Sequence, residues 1–216
     1  MTAVVYISFN TSHEQPNQDG MILLAALLVE STMVELNKHV LEIVGHKGHS
    51  VSTEDLLGHL ECYHSHDEPG LTREVLEAYG EAIERDGRVP FTATALLKVI
   101  DSRLTDSATW VEGAFYEVAP DRVSGFPVRW HEQFDGETDV REYLRFIQSD
   151  ASGYRGDTGE DLHAAGVPKS LLRAAVAVLG GQYYGEVDQQ INDLRQQGEV
   201  AAYPDQHPNA DIQLRE

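Results

Sequence analysis

Cysteine occurs once in these 216 residues, at Cys62, so no disulfide can form within the chain and a reducing environment is expected. Lysine is nearly as scarce, with Lys38, Lys47, Lys98 and Lys169 the whole supply. Long apolar runs are missing too. The most apolar stretch, residues 21–29, falls well short of the roughly 20 residues that cross a bilayer, which predicts a core helix and no membrane partner. Residues 1–10 carry no basic segment ahead of an apolar one and no small-residue cleavage site, so a cytoplasmic protein is expected. There is no Gly-rich phosphate loop, nucleophile elbow, HExxH helix or CxxC pair. Nucleotide binding, the familiar hydrolytic mechanisms and thiol redox chemistry therefore have no motif to rest on, and the expectation is a non-enzyme. Proline is sparse and no internal repeat occurs, which argues against disorder and against a solenoid.

Acid is what the chain has in excess. Thirty-six carboxylates face sixteen lysines and arginines, for a formal net charge of −20. Self-repulsion of that size works against a compact state, and it is tolerable where molar salt shortens the Debye length to roughly 3 Å. A halophilic cytoplasm is the expectation. The charge is unevenly spread. Residues 1–87 carry fifteen acids and four bases, whereas residues 88–130 carry five of each. Only that middle segment, with Arg88, Lys98, Arg103, Arg122 and Arg129, approaches a phosphate backbone without net repulsion.

The hydrophobic fraction of 41% supports a folded core, and the length suits two small domains. Residues 4–9 read as a strand, residues 10–20 as a loop, and residues 21–44 as one long or two consecutive helices closed by Gly45. Ser52 or Thr53 caps a helix over 54–63. Thr72 opens a helix over 73–86 with Val75, Leu76, Tyr79 and Ile83 on one face and Gly87 as its stop; Thr92 caps another over 93–103. Strands over 109–118 and 123–130 form a hairpin. After a linker over 131–159, itself holding a helix over 141–148, Pro168 takes a first helical position and a helix runs over 170–179. A helix over 186–197, with Val187, Ile191 and Leu194 inward, leads to a second hairpin over 199–203 and 210–214. The fold class expected is mainly α with small β-hairpins, with an N-terminal helical domain over 1–130 and a C-terminal one over 160–216.

This parts list, a trio of helices followed by a two-stranded hairpin, occurs over 56–130 and again over 162–214, and in both places it resembles a winged helix-turn-helix of haloarchaeal type. The segment INDLRQQGEVAAY, residues 191–203, is similar to the end of the recognition helix and first wing strand in the small winged helices that close archaeal minichromosome-maintenance helicases. The segments EVLEAYGEAIERDG and FTATALLKVI resemble the winged helices at the C-termini of initiator proteins and viral primase-helicases. The resemblance implies two winged-helix-like units, duplex DNA as a partner and a transcriptional or replicative role in a halophilic archaeon or its virus. Winged helices seat the third helix in the major groove and rest basic side chains on phosphates. Ala93, Thr94, Lys98 and Arg103 are then the recognition-helix residues, and Arg122 and Arg129 the wing contacts. The third helix of the second copy carries Glu186, Asp188 and Asp193 against Arg195, so that copy is expected to contact protein, as a homo-oligomer or with a partner. The alternative is an interaction or structural protein that uses both units for protein contacts alone.

One local anomaly stands apart. His39, His46, His49, His59, Cys62, His64 and His66 fall within 28 residues. His59 and Cys62 share a helical face, and with His64 and His66 they form a candidate site for a structural Zn²⁺, although the spacing matches no established zinc pattern. Solvated or hydrogen-bonded histidines beside a buried thiol are the other reading.

Overall fold

Asn37 opens the first helix, its side-chain oxygen accepting from the His39 N–H at 2.9 Å. The computed structural model describes residues 34–65, 67–155, 166–204, 207 and 210–215, so the strand expected over 4–9, its loop and the start of the helix expected from residue 21 lie outside the described residues. Helix α1, Lys38–Lys47, runs through Gly45 and ends at Gly48, which takes φ 55°. A Cβ on Gly45 would lie 2.2 Å from the Arg88 guanidinium carbon, the far end of a half-exposed side chain that can move aside.

Helix α2, Thr53–Tyr63, starts where the Ser52 hydroxyl accepts from the Asp55 N–H. A two-residue strand β1, Leu71–Thr72, leads into α3, Arg73–Asp86, capped by the Thr72 hydroxyl and closed by Gly87 in the left-handed region. Thr92 caps α4, Ala93–Ser102, in the same way. Strands β2 (Leu104–Thr105), β3 (Phe115–Ala119) and β4 (Arg122–Ser124) follow, and the sheet order is β1-β4-β3-β2. The lone strand β1 thus pairs antiparallel with the last strand of the hairpin, Leu71 opposite Val123.

Two of the expected strands are shorter than their sequence suggests. The first begins only at Phe115, because Gly113 sits at φ 67° and the Ser107 and Thr109 hydroxyls hold the preceding loop in side-chain hydrogen bonds. The second stops at Ser124. Gly125 and Pro127 intervene, and Val128–Gln133 is a helix, α5, that starts directly after the proline.

Helix α6, Val140–Ile147, comes next, with Val140, Tyr143, Leu144 and Ile147 all fully buried. Strand β5 (Val167–Pro168), helix α7 (Lys169–Leu179), helix α8 (Tyr184–Gln197) and strands β6 (Val200–Tyr203) and β7 (Asp211–Leu214) complete the chain. Pro168 precedes the helix instead of occupying its first turn. Their sheet has the order β5-β7-β6, with Val167 opposite Ile212. Helix, lone strand, helix, helix and hairpin therefore occur twice, each time with the lone strand paired to the hairpin's second strand.

Each set has its own core. Val40, Leu56, Leu60, Leu76, Tyr79, Ile100, Phe115 and Val123 belong to one cluster; Phe126, Trp130, Tyr143, Val176, Ile191 and Ile212 belong to the other. The division falls between Val123 and Phe126. Residues 131–154, expected as a linker, instead supply Phe134, α6 and Tyr154 to the second core. Amphipathic spacing in α6 is strong enough that burying its four apolar side chains stabilises the fold by roughly 1.5–3 kcal/mol for each aliphatic one. The two cores meet at a seam where α2 packs on α7, and Cys62 of α2 touches the second cluster.

Candidate functional site

Helix α4 lies against α3 at a close crossing, since a Cβ on Gly80 would come within 2.9 Å of Ala93. Ala93 is accordingly buried, and its N–H donates to Glu84. Thr94, Ala95, Lys98 and Val99 face solvent. Among the described residues Lys98 has no ion-pair partner, and Asp101, the acid at the far end of the same helix, is paired with Arg73.

The remaining bases expected to meet phosphate are placed differently. Arg103 lies over the Phe115 ring at 4.7 Å and its guanidinium bonds Glu54 and the Gly113 carbonyl. Arg122 donates to the carbonyls of Glu68, Pro69 and Gly70 at 2.7, 2.8 and 2.6 Å, fastening the turn before β1 to the hairpin. Arg129 is exposed but belongs to α5, not to the hairpin, because the strand expected there stops at Ser124. A sequence reader sees five bases between residues 88 and 130; the fold turns two of the candidates among them inward and pairs Arg88 with Asp86.

Helix α8 has a different outward face. Glu186, Gln189, Asn192, Asp193 and Gln196 are exposed on it, while Asp188 takes ion pairs from Lys169 at 3.1 Å and Arg173 at 3.4 Å. That surface is acidic and rich in amides.

The histidine cluster disperses. His59 is buried, edge-on to the Tyr184 ring at 5.0 Å, and burial pushes its imidazole down to about 4. Cys62 donates its S–H to the Gln182 carbonyl, and burial pushes the thiol up to about 11. His64 bonds the Tyr79 hydroxyl through Nδ1 at 3.2 Å. His66 lies outside the described residues. Among those described, no group of three or more His, Cys, Asp or Glu side chains is arranged to hold a metal ion, so the three described members of the zinc candidate do not converge.

The seam between the cores, which the sequence does not signal, holds a buried polar group. Glu61 is almost wholly buried and accepts the Gly125 N–H at 2.8 Å; burial pushes its carboxyl up to about 7, against the hydrogen bonds from Ser124 and Gly125. Ser124 Oγ lies 2.8 Å from His131 Nε2 and accepts the Phe126 N–H. A serine beside a histidine suggests a nucleophile, but Ser124 has no exposed surface, so no substrate carbonyl can reach it. The group instead joins α2, β4 and α5. Beside it is a cavity of about 430 Å³ between α2, the loop before β3, and α7. Trp130, which closes the second core, stacks on Trp110 and Phe126 with centroids 5.4 and 5.8 Å away. Compared with known proteins, the chain matches no family model, no curated protein and no solved structure.

Proposed function

We propose that the chain is a pair of winged-helix units, that the first binds duplex DNA through α4, and that the second mediates association in a transcriptional or replicative assembly. The trio of helices followed by a two-stranded hairpin, occurring twice, supports this reading. The observation that carries the DNA reading is the face of α4. In a chain of net charge −20 it exposes Thr94, Ala95, Lys98 and Val99, one base among neutral side chains, and its one acid is paired with Arg73. Arg103 and Arg122 act by holding that helix and hairpin in place, not by touching phosphate.

Titration against random duplex DNA by fluorescence anisotropy, with KCl stepped upward from about 0.2 M, tests the reading. Few phosphate contacts predict measurable binding with a shallow loss of log affinity against log salt, removed by Lys98→Glu with Thr94→Glu. Absence of binding at every salt concentration where the chain stays folded would overturn it. The second reading, units used for protein contacts alone, is favoured by one specific observation, the acidic outward face of α8; a soluble homo-oligomer that ignores DNA would be its signature.

A further inference from the structure

The cavity at the seam has features that the α4 reading leaves unused. Its volume of about 430 Å³ falls within the range of small-molecule pockets, roughly 300–1,000 Å³. Trp110, Phe115, Phe126 and Tyr184 give it aromatic walls, with the Trp110 and Phe126 centroids 6.0 Å apart. His59 lines it from α2. That residue is only 6% exposed, and its Nδ1 is buried with no hydrogen-bond partner. A buried imidazole nitrogen without a partner calls for one, and Arg173 Nε, in the same lining, is likewise buried without a hydrogen bond.

The charged side chains around the cavity leave little room for a charged ligand. Lys47 pairs with Asp55 at 3.5 Å, Glu54 with Arg103, and Arg173 with Asp188 at 3.4 Å. Glu112 accepts the Trp110 indole N–H at 3.3 Å. Each full charge at the rim thus has a partner, and a neutral ligand can enter without displacing any of these contacts. What is left is an aromatic slot in which His59 Nδ1 and Arg173 Nε are the buried side-chain nitrogens without a hydrogen-bond partner. We propose that this seam binds an uncharged, planar heteroaromatic small molecule, stacked beside Trp110 and Phe126 and hydrogen-bonded to His59. Such a ligand would touch both cores at once, so its binding would tie the two units together. The proposal stands whether or not α4 meets DNA, and its test contains no DNA, so the two readings fail separately.

Benzimidazole is a suitable probe, because it is neutral at about pH 7.5 and offers both a ring N–H and a ring nitrogen to an imidazole of either tautomer. The full chain is titrated with it while the fluorescence of the stacked Trp110–Trp130 pair and the His59 ring resonances are followed. The expected result is saturable binding with a Kd below about 1 mM and a shift of the His59 signals. Indene, of the same shape without nitrogen, should bind about tenfold more weakly to the wild type and equally to His59→Phe. Ala174→Trp, which fills the cavity, should abolish binding; Leu171→Trp serves if that variant does not fold. Failure to saturate by about 5 mM, or affinity unchanged in the filled variant, would overturn the proposal.

Discussion

The thiol of Cys62 donates a hydrogen bond to the backbone carbonyl of Gln182, 3.3 Å away and 120 residues later in the chain. This contact fastens α2 to the turn between α7 and α8. With the thiol pushed up to about 11 by burial, almost no thiolate exists at neutral pH. Reaction with a disulfide reagent at about pH 8 should therefore run about 100-fold slower than for an unhindered cysteine, and reach the full rate in denaturant. A rate equal to free cysteine in the folded protein would mean that the seam opens readily.

Glu61 makes the seam sensitive to pH in a definite direction. Its carboxyl rises from 4.5 to about 7 on folding, so the folded chain holds that proton more tightly than the unfolded one. The stability this contributes is complete below about pH 4.5 and is lost as pH rises through about 7. His59 acts oppositely: it falls from 6.5 to about 4, so its contribution is complete above about pH 6.5 and is lost as pH falls through about 4. Between about pH 4.5 and 6.5 the two slopes offset each other. Glu61→Gln removes one of them. Relative to the wild type, that variant should gain about 3 kcal/mol on going from pH 4.5 to pH 8, read from urea unfolding in constant KCl. A difference independent of pH would show that Glu61 does not carry the proton.

Much of the helical scaffold is legible in the sequence because its signals are local. Ser52, Thr72 and Thr92 cap the helices expected of them, Gly87 and Gly198 stop theirs, and α3, α7 and α8 lie within about two residues of the expected bounds. The hairpins are less legible. Residues 123–130 are apolar enough for a strand, yet Pro127 cannot donate to a ladder and begins a helix instead. The candidate site is the least legible part, because it depends on partners far apart in sequence. Nothing around Arg122 announces that Glu68, Pro69 and Gly70 will take its N–H groups, and nothing near His59 announces Trp110 or Tyr184. The histidine density that looks like a metal site in one dimension is spread across a helix, a tyrosine contact and an interior face in three.

Arg122 should behave as a structural residue. Gly70 sits at φ 72° and so close to β4 that a Cβ would lie 2.9 Å from the Val123 carbonyl oxygen, and Arg122 closes this turn with three donated bonds. Arg122→Ala is expected to cost about 2–3 kcal/mol and to speed amide exchange at Leu71 and Val123. Arg122→Lys should recover little of it, since one ammonium cannot reproduce the guanidinium fork. Stability unchanged in Arg122→Ala, with DNA affinity reduced, would return this side chain to the phosphate role that its sequence position suggests.

Trp130 tests whether the second core depends on its aromatic stack. It is fully buried, edge-on to Phe146 at 5.6 Å as well as stacked on Trp110 and Phe126, and its indole N–H donates to the Ser152 carbonyl at 3.2 Å. Trp130→Ala should cost about 3–5 kcal/mol, through lost burial and the cavity left behind. Trp130→Phe is a gentler change for a reason visible in the hydrogen bonds. The donor disappears together with the ring that carried it, while the Ser152 carbonyl keeps the Trp110 N–H at 2.9 Å and is not orphaned. Only volume is then lost, so the cost should fall to about 1–2 kcal/mol. Because α2 and α7 pack across the seam, both variants should still unfold in one transition by far-ultraviolet circular dichroism and by Trp110 fluorescence. Separate transitions by the two probes would mean that the cores are coupled more weakly than the Cys62 and Glu61 contacts imply.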